Sequence, residues 1–198
     1  MPKIVDKEER MKTILMKAME VFSEVGYKDS NLTLIAEKCS LSRPTVYQYF
    51  KDKKEIYYYA VKLVSSEMFA RYSKMAFDDE GGDEIERLDS IISDVFEKAG
   101  NNSQALSNLV EFILAEKRGG VDVYSVIMAR TAKLRILIKR LLLQGVHHKT
   151  IRECNVEKLG DEVYSLIQAE CFQVGFFNSY TPLEARETLH DFLSSFRK

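Results

Sequence analysis

Proline is scarce in this chain. Only Pro2, Pro44 and Pro182 occur in 198 residues, and 137 residues lie between the last two. So long a stretch without the strongest helix breaker favours long helices. Glycine is also sparse, with nine, and the two counts together exclude a collagen-like or low-complexity chain. The three cysteines, Cys39, Cys154 and Cys171, are odd in number and widely spaced. That fits neither a disulfide framework nor a zinc pattern, and points to reduced thiols in a cytoplasmic protein. No apolar run approaches the roughly 18 residues of a membrane span. The opening MPKIVDKEERMKT has no apolar stretch of the kind a secretory signal needs. Net charge is nearly absent as well, with 29 basic against 30 acidic side chains.

What remains is an ordinary globular composition, 45% hydrophobic and 30% charged, in a length suited to one or two domains. The balanced charge hides an asymmetry. Residues 1–56 carry 11 basic and 9 acidic groups, and the stretch 38–54 holds Lys38, Arg43, Lys51, Lys53 and Lys54 against Asp52 alone. A local basic patch on a neutral chain points to a polyanion at one end.

Helical periodicity dominates, and about nine helices in an all-α fold are expected. Met11, Ile14, Leu15, Ala18 and Phe22 share one face, with Gly26 as an expected stop. Stripes follow at 85–99, at 106–114, from Tyr124 up to Gly145, at 163–174 and at 189–196. Thr181, Pro182 and Glu184 form a capping box, and Asp52 with Glu55 offers another that opens a helix to about residue 75. No segment alternates as a strand does.

The sharpest signal is NLTLIAEKCSLSRPTVYQYFKDKK at 31–54. Asn31 can cap a short helix, with Ile35 and Ala36 facing inward; Leu41 plugs a turn, and Ser42 caps a second helix whose Val46 and Phe50 point to the core. Two short helices joined by a tight turn make a helix-turn-helix. Its exposed residues suit DNA. Arg43 matches guanine O6 and N7, Thr45 a thymine methyl or a phosphate, and Gln48 an adenine. Tyr47 and Tyr49 can donate to phosphates, and Lys53 adds charge at a helix amino end.

These residues resemble the TetR/AcrR family of bacterial transcriptional regulators, through IAEKCSLSRPTVYQYFKDKKEI at 35–56 and the preceding VFSEVGY at 21–27. The resemblance implies a DNA-binding domain over 1–54 and a helical effector-binding and dimerisation domain over 55–198. It implies a homodimer on a palindromic operator, usually a repressor, released by a small molecule. By position it assigns Arg43, Pro44, Thr45, Tyr47, Gln48, Tyr49 and Lys53 to the DNA-contacting stretch, and Thr33 to a phosphate. One departure stands out: Ser40 occupies a turn position where the family usually has glycine, at a cost of about 1 kcal/mol if φ is positive there.

Two recognition helices must sit about 34–36 Å apart to enter successive major grooves, so dimerisation sets their spacing. The last two helices, 156–178 and 182–196, are the candidates, with Gly160 and Gly175 for close approach and Phe172, Phe176, Phe177, Phe192 and Phe196 for apolar area. An effector pocket is expected among Met68, Phe69, Tyr72, Phe96, Phe112, Tyr124, Met128 and Phe172, although an aromatic or Met stripe at helical spacing is more often core. His147 and His148 read as solvated in a polar loop. Glu187 and His190 form a lone E-x-x-H, where a di-iron bundle needs two, so no metal or other cofactor is expected. No His/Asp/Ser set or glycine-rich phosphate loop suggests an enzyme. The alternatives are a DNA binder without an effector and, from another class, a helical-bundle carrier or enzyme.

Overall fold

A computed structural model describes residues 7–77, 82–177 and 179–198, with the backbone alone over 123–130. Among these residues there are nine helices and no strand: α1 (Lys7–Asp29), α2 (Leu32–Lys38), α3 (Arg43–Tyr47), α4 (Lys53–Phe77), α5 (Glu84–Asn101), α6 (Ser103–Arg118), α7 (Val123–His148), α8 (Val156–Phe176) and α9 (Pro182–Ser194). The all-α class follows from the periodicity described above. No helix of the described residues is long and apolar enough to cross a membrane.

The chain forms two compact units. The first is Met1–Ser66 with Ser107–Val123, and the second is Glu67–Leu106 with Tyr124–Lys198. The division expected by function at 54/55 therefore falls inside α4, and most of α6 joins the first unit.

In the first unit, Ile14, Leu15, Ala18 and Phe22 of α1 bury the predicted face against Ile35, Ala36, Val46, Phe50, Ile56 and Tyr57. Phe112 of α6 completes an aromatic cluster, with ring centroids 4.9 Å from Tyr57 and 5.5 Å from Tyr27. Gly26 stops the long first part of α1, as expected. At φ 83 and ψ 159 it breaks the helix, and the chain then resumes for one more turn to Asp29. That backbone conformation is open only to glycine.

In the second unit, Ile85, Leu88, Ile91, Ile92 and Phe96 run along the buried face of α5, packed with residues of α4, α7, α8 and α9. The α5 and α9 capping boxes, Asp83 with Glu86 and Thr181 with Glu184, are both closed. The chain end is clasped to the α7–α8 connection: Arg152 N–H donates to Phe196 O at 2.9 Å, and Lys198 N–H to Thr150 O at 3.1 Å.

Two local expectations are corrected, and the close approach expected at Gly160 and Gly175 is found within the chain. α7 runs through Gly145 to His148. Gly145 is needed for space, since a side chain there would collide with Ile151. His148 is not simply solvated: its Nδ1 lies 2.6 Å from Oε1 of Glu84, a buried carboxylate that also accepts from Thr150 Oγ1 at 2.6 Å. Gly160 and Gly175 admit neighbours from their own chain, the Lys139 stem and Leu106 respectively.

The phenylalanines of the last two helices divide. Phe192 and Phe196 pack against the core, whereas Phe172 and Phe177 are 50% and 51% exposed and lie in ring contact with each other. Asp94 of α5 accepts from Tyr72 Oη at 2.6 Å and Lys98 Nζ at 2.5 Å, and pairs with Arg71. Burial alone would raise its pKa, but these donors outweigh burial and hold the carboxyl at about 2, below the ordinary 3.8. Its stabilising effect is therefore full above about pH 4 and lost as pH falls toward 2. Asp94→Asn is expected to cost about 2 kcal/mol at pH 7, and denaturant titrations of variant and wild type should converge near pH 2.

Candidate nucleic-acid interface

The helix-turn-helix is assembled from local caps. Asn31 Oδ1 accepts from Thr33 N–H at 2.9 Å and Leu34 N–H at 3.0 Å, which starts α2. α2 ends in a Schellman turn: Leu41 N–H donates to Ala36 O and Ser40 N–H to Glu37 O, both at 2.9 Å. Ser40 sits at φ 54, the left-handed conformation in which a Cβ is strained. Ser40→Gly is therefore expected to stabilise the protein by about 1 kcal/mol. An unchanged denaturation midpoint would show that Ser40 carries no such strain.

Ser42 caps α3 by accepting from Thr45 N–H at 3.2 Å, and its hydroxyl lies 2.7 Å from that of Thr45. Pro44 stands in the first turn, where no donor is needed. Val46 and Phe50 are fully buried and anchor the segment. The other side of the segment is open: Arg43, Pro44, Tyr47 and Gln48 are exposed, and Thr45 and Tyr49 half-buried. Arg43 is braced, its Nη2 donating to Tyr47 Oη at 3.1 Å and its guanidinium 5.5 Å from the centroid of that ring. Thr33 is exposed at the start of α2. Ser30 to Leu34 border a groove of about 560 Å³ together with Arg43 and Lys53.

The basic stretch is thinner in space than in sequence. Lys38 pairs with Glu24 at 2.5 Å, and Lys54 with the buried Glu116 at 2.6 Å. Lys53 departs furthest from the expected phosphate contact. Its ammonium donates to Tyr27 O, Ser30 O and Lys28 O at 2.7, 2.8 and 3.0 Å, and lies 4.7 Å from the Tyr27 ring centroid. All three N–H groups are thus committed to carbonyls, and burial pushes its pKa below the ordinary lysine value. Among the described residues, Arg43 and Lys51 are the cations of 38–54 that neither pair with an acid nor donate to backbone carbonyls. In sequence Lys51 is one more member of the basic patch. Its signal was exposure, which only the fold supplies.

The residues expected to line an effector pocket do not share one environment. Phe69, Tyr72 and Phe96 are buried in the core of the second unit, with Met68 against it. Phe112 lies in the aromatic cluster of the first unit. Phe172 is exposed. The side chains of Tyr124 and Met128 lie outside the described residues. Of the acids near apolar faces, Glu111 accepts from Lys28 N–H at 2.8 Å, and Glu170 from Tyr180 Oη at 2.5 Å. The three cysteines are free.

Comparison with known proteins shows what this segment and this fold are similar to. The model of the bacterial regulatory proteins of the tetR family matches residues 14–59. The chain is 40% identical over 63 residues to the HTH-type transcriptional regulator HbdR of Aromatoleum sp. strain CIB, a match covering 32% of this chain and 27% of that protein. It is 37% identical over 51 residues to the HTH-type transcriptional activator FasR of Mycolicibacterium smegmatis, covering 26% and 23%. The chain thus spans about a quarter of the length of the curated relatives it matches. The fold is shared over nearly the whole chain with a TetR transcription regulator from Haloarcula marismortui, at a TM-score of 0.82 and 16% identity, covering 96% of this chain and 100% of that one. Residues 14–59 thus match the tetR family's regulatory module, and the chain as a whole shares the fold of a solved TetR transcription regulator.

Proposed function

We propose that the protein is a cytoplasmic repressor that acts by binding rather than catalysis, docks as a homodimer on a palindromic operator, and is released by a small molecule. The observation that carries this reading is the α3 segment, anchored through Val46 and Phe50 and open to solvent through Arg43, Pro44, Tyr47 and Gln48. On this reading Arg43 and Gln48 read bases, while Thr33 of α2 and Thr45, Tyr47, Tyr49 and Lys51 meet the backbone. The exposed Phe172, Phe176, Phe177 and Leu183 favour dimerisation through α8 and α9, since large apolar side chains grouped at the surface mark contact sites. An effector is expected to enter the second unit near Met68, Phe69, Tyr72 and Phe96, which requires their packing to open. Repression follows if the operator overlaps a promoter, because the bound dimer then excludes polymerase.

Selection from a random duplex pool with the whole 198-residue chain tests the reading. The expected product is an inverted repeat whose half-site centres lie about one helical turn, or a multiple of it, apart. Its affinity should fall steeply with salt as counterions are released. Failure to enrich any duplex would overturn it.

A further inference from the structure

The break at Gly26 leaves a problem that the local chain does not solve. The turn resumed after it begins with N–H groups that have no partner within their own helix. These donors are capped from a helix far away in sequence. Tyr27 N–H donates to Asn108 Oδ1 at 2.9 Å, and Lys28 N–H to Glu111 Oε2 at 2.8 Å. Asn108, 1% exposed, also donates through Nδ2 to Phe22 O at 2.8 Å, so one amide spans both sides of the break. Asn108, Glu111, Phe112 and Glu116 stand at helical spacing on one stripe of α6. Each meets another part of the first unit: the break, Lys28, the aromatic cluster, and Lys54.

The segment held in this way leads directly to Asn31, the cap of α2. We infer that Asn108 and Glu111 are positioning residues for DNA binding: they fix the entry into the helix-turn-helix without touching nucleic acid themselves. This rests on the DNA-binding reading above and adds to it two residues that lie outside the motif.

Glu111 gives the discriminating test, because charge and positioning predict opposite signs. Removing an acid from a protein that binds a polyanion strengthens binding by Coulomb's law alone. Losing a positioning bond weakens it. Affinity for the selected duplex would be measured at fixed salt for Glu111→Ala and Glu111→Gln, beside thermal midpoints and hydrogen exchange at the Lys28 amide. Glu111→Ala is expected to bind at least fivefold more weakly, with faster Lys28 exchange and a midpoint close to wild type. Glu111→Gln keeps an acceptor and should restore wild-type affinity or better. Asn108→Leu should weaken binding further; should it fail to fold, the Glu111 pair decides. Wild-type affinity or tighter in Glu111→Ala, or unchanged Lys28 exchange, would overturn the inference while leaving the DNA-binding reading intact. A wild-type chain that binds no duplex would remove both.

Discussion

Arg43→Ala is expected to weaken binding to the selected duplex by roughly 10- to 100-fold per half-site, about 1–3 kcal/mol, and to relax base preference at one position in each half. The size follows from chemistry and geometry together. A guanidinium offers two parallel donors that match guanine O6 and N7, a pairing that a flexible ammonium does not reproduce. The Tyr47 hydroxyl and ring already brace Arg43, so less side-chain freedom is lost on docking. Val46 and Phe50, fully buried, hold the backbone beneath it. Comparing affinities for the selected duplex and for single-base variants separates base reading from phosphate contact. Equal loss on every sequence would assign Arg43 to the phosphate backbone.

Lys53→Met should lower folding stability by about 3 kcal/mol. The methionine keeps most of the apolar stem but removes the group that satisfies three carbonyls at once. Hydrogen bonds to a charged donor are each worth about 1.5–3 kcal/mol, and partly buried carbonyls left without a partner add a desolvation cost. Part of this is offset because desolvating the ammonium no longer costs anything; that desolvation is the largest influence on its lowered pKa. Guanidinium titration measures the loss, and the salt dependence of duplex binding by the folded variant should keep its slope. A stable variant with a flattened slope would mean that the ammonium faces phosphate in the complex.

These two residues mark where local reasoning succeeds and where it stops. Arg43 is legible because a cap, a proline in the first turn and inward-pointing apolar residues four apart settle which side of a short helix faces out. Ser40 is legible for a similar reason: a Schellman turn demands a left-handed residue at that step, whatever the rest of the chain does. Lys53 reads from sequence as one more cation in a basic run. Only the carbonyls of Tyr27, Lys28 and Ser30, brought to it from 23 to 26 positions away, turn it inward.

By itself, then, the sequence determined the helices, their caps and the identity of the DNA-binding motif, because each depends on backbone geometry and side-chain spacing within a few residues. The tertiary structure decided the rest. It placed most of α6 in the first unit, gave Asn108 and Glu111 their donors 81 and 83 positions away, buried Glu84 beside His148, and separated Phe112 from Phe69, Tyr72 and Phe96. The physical reason is range. A cap or a turn is specified by neighbours along the chain, whereas the partner of a buried polar group is specified by which helices pack together, and helical periodicity says which face is apolar without saying what covers it.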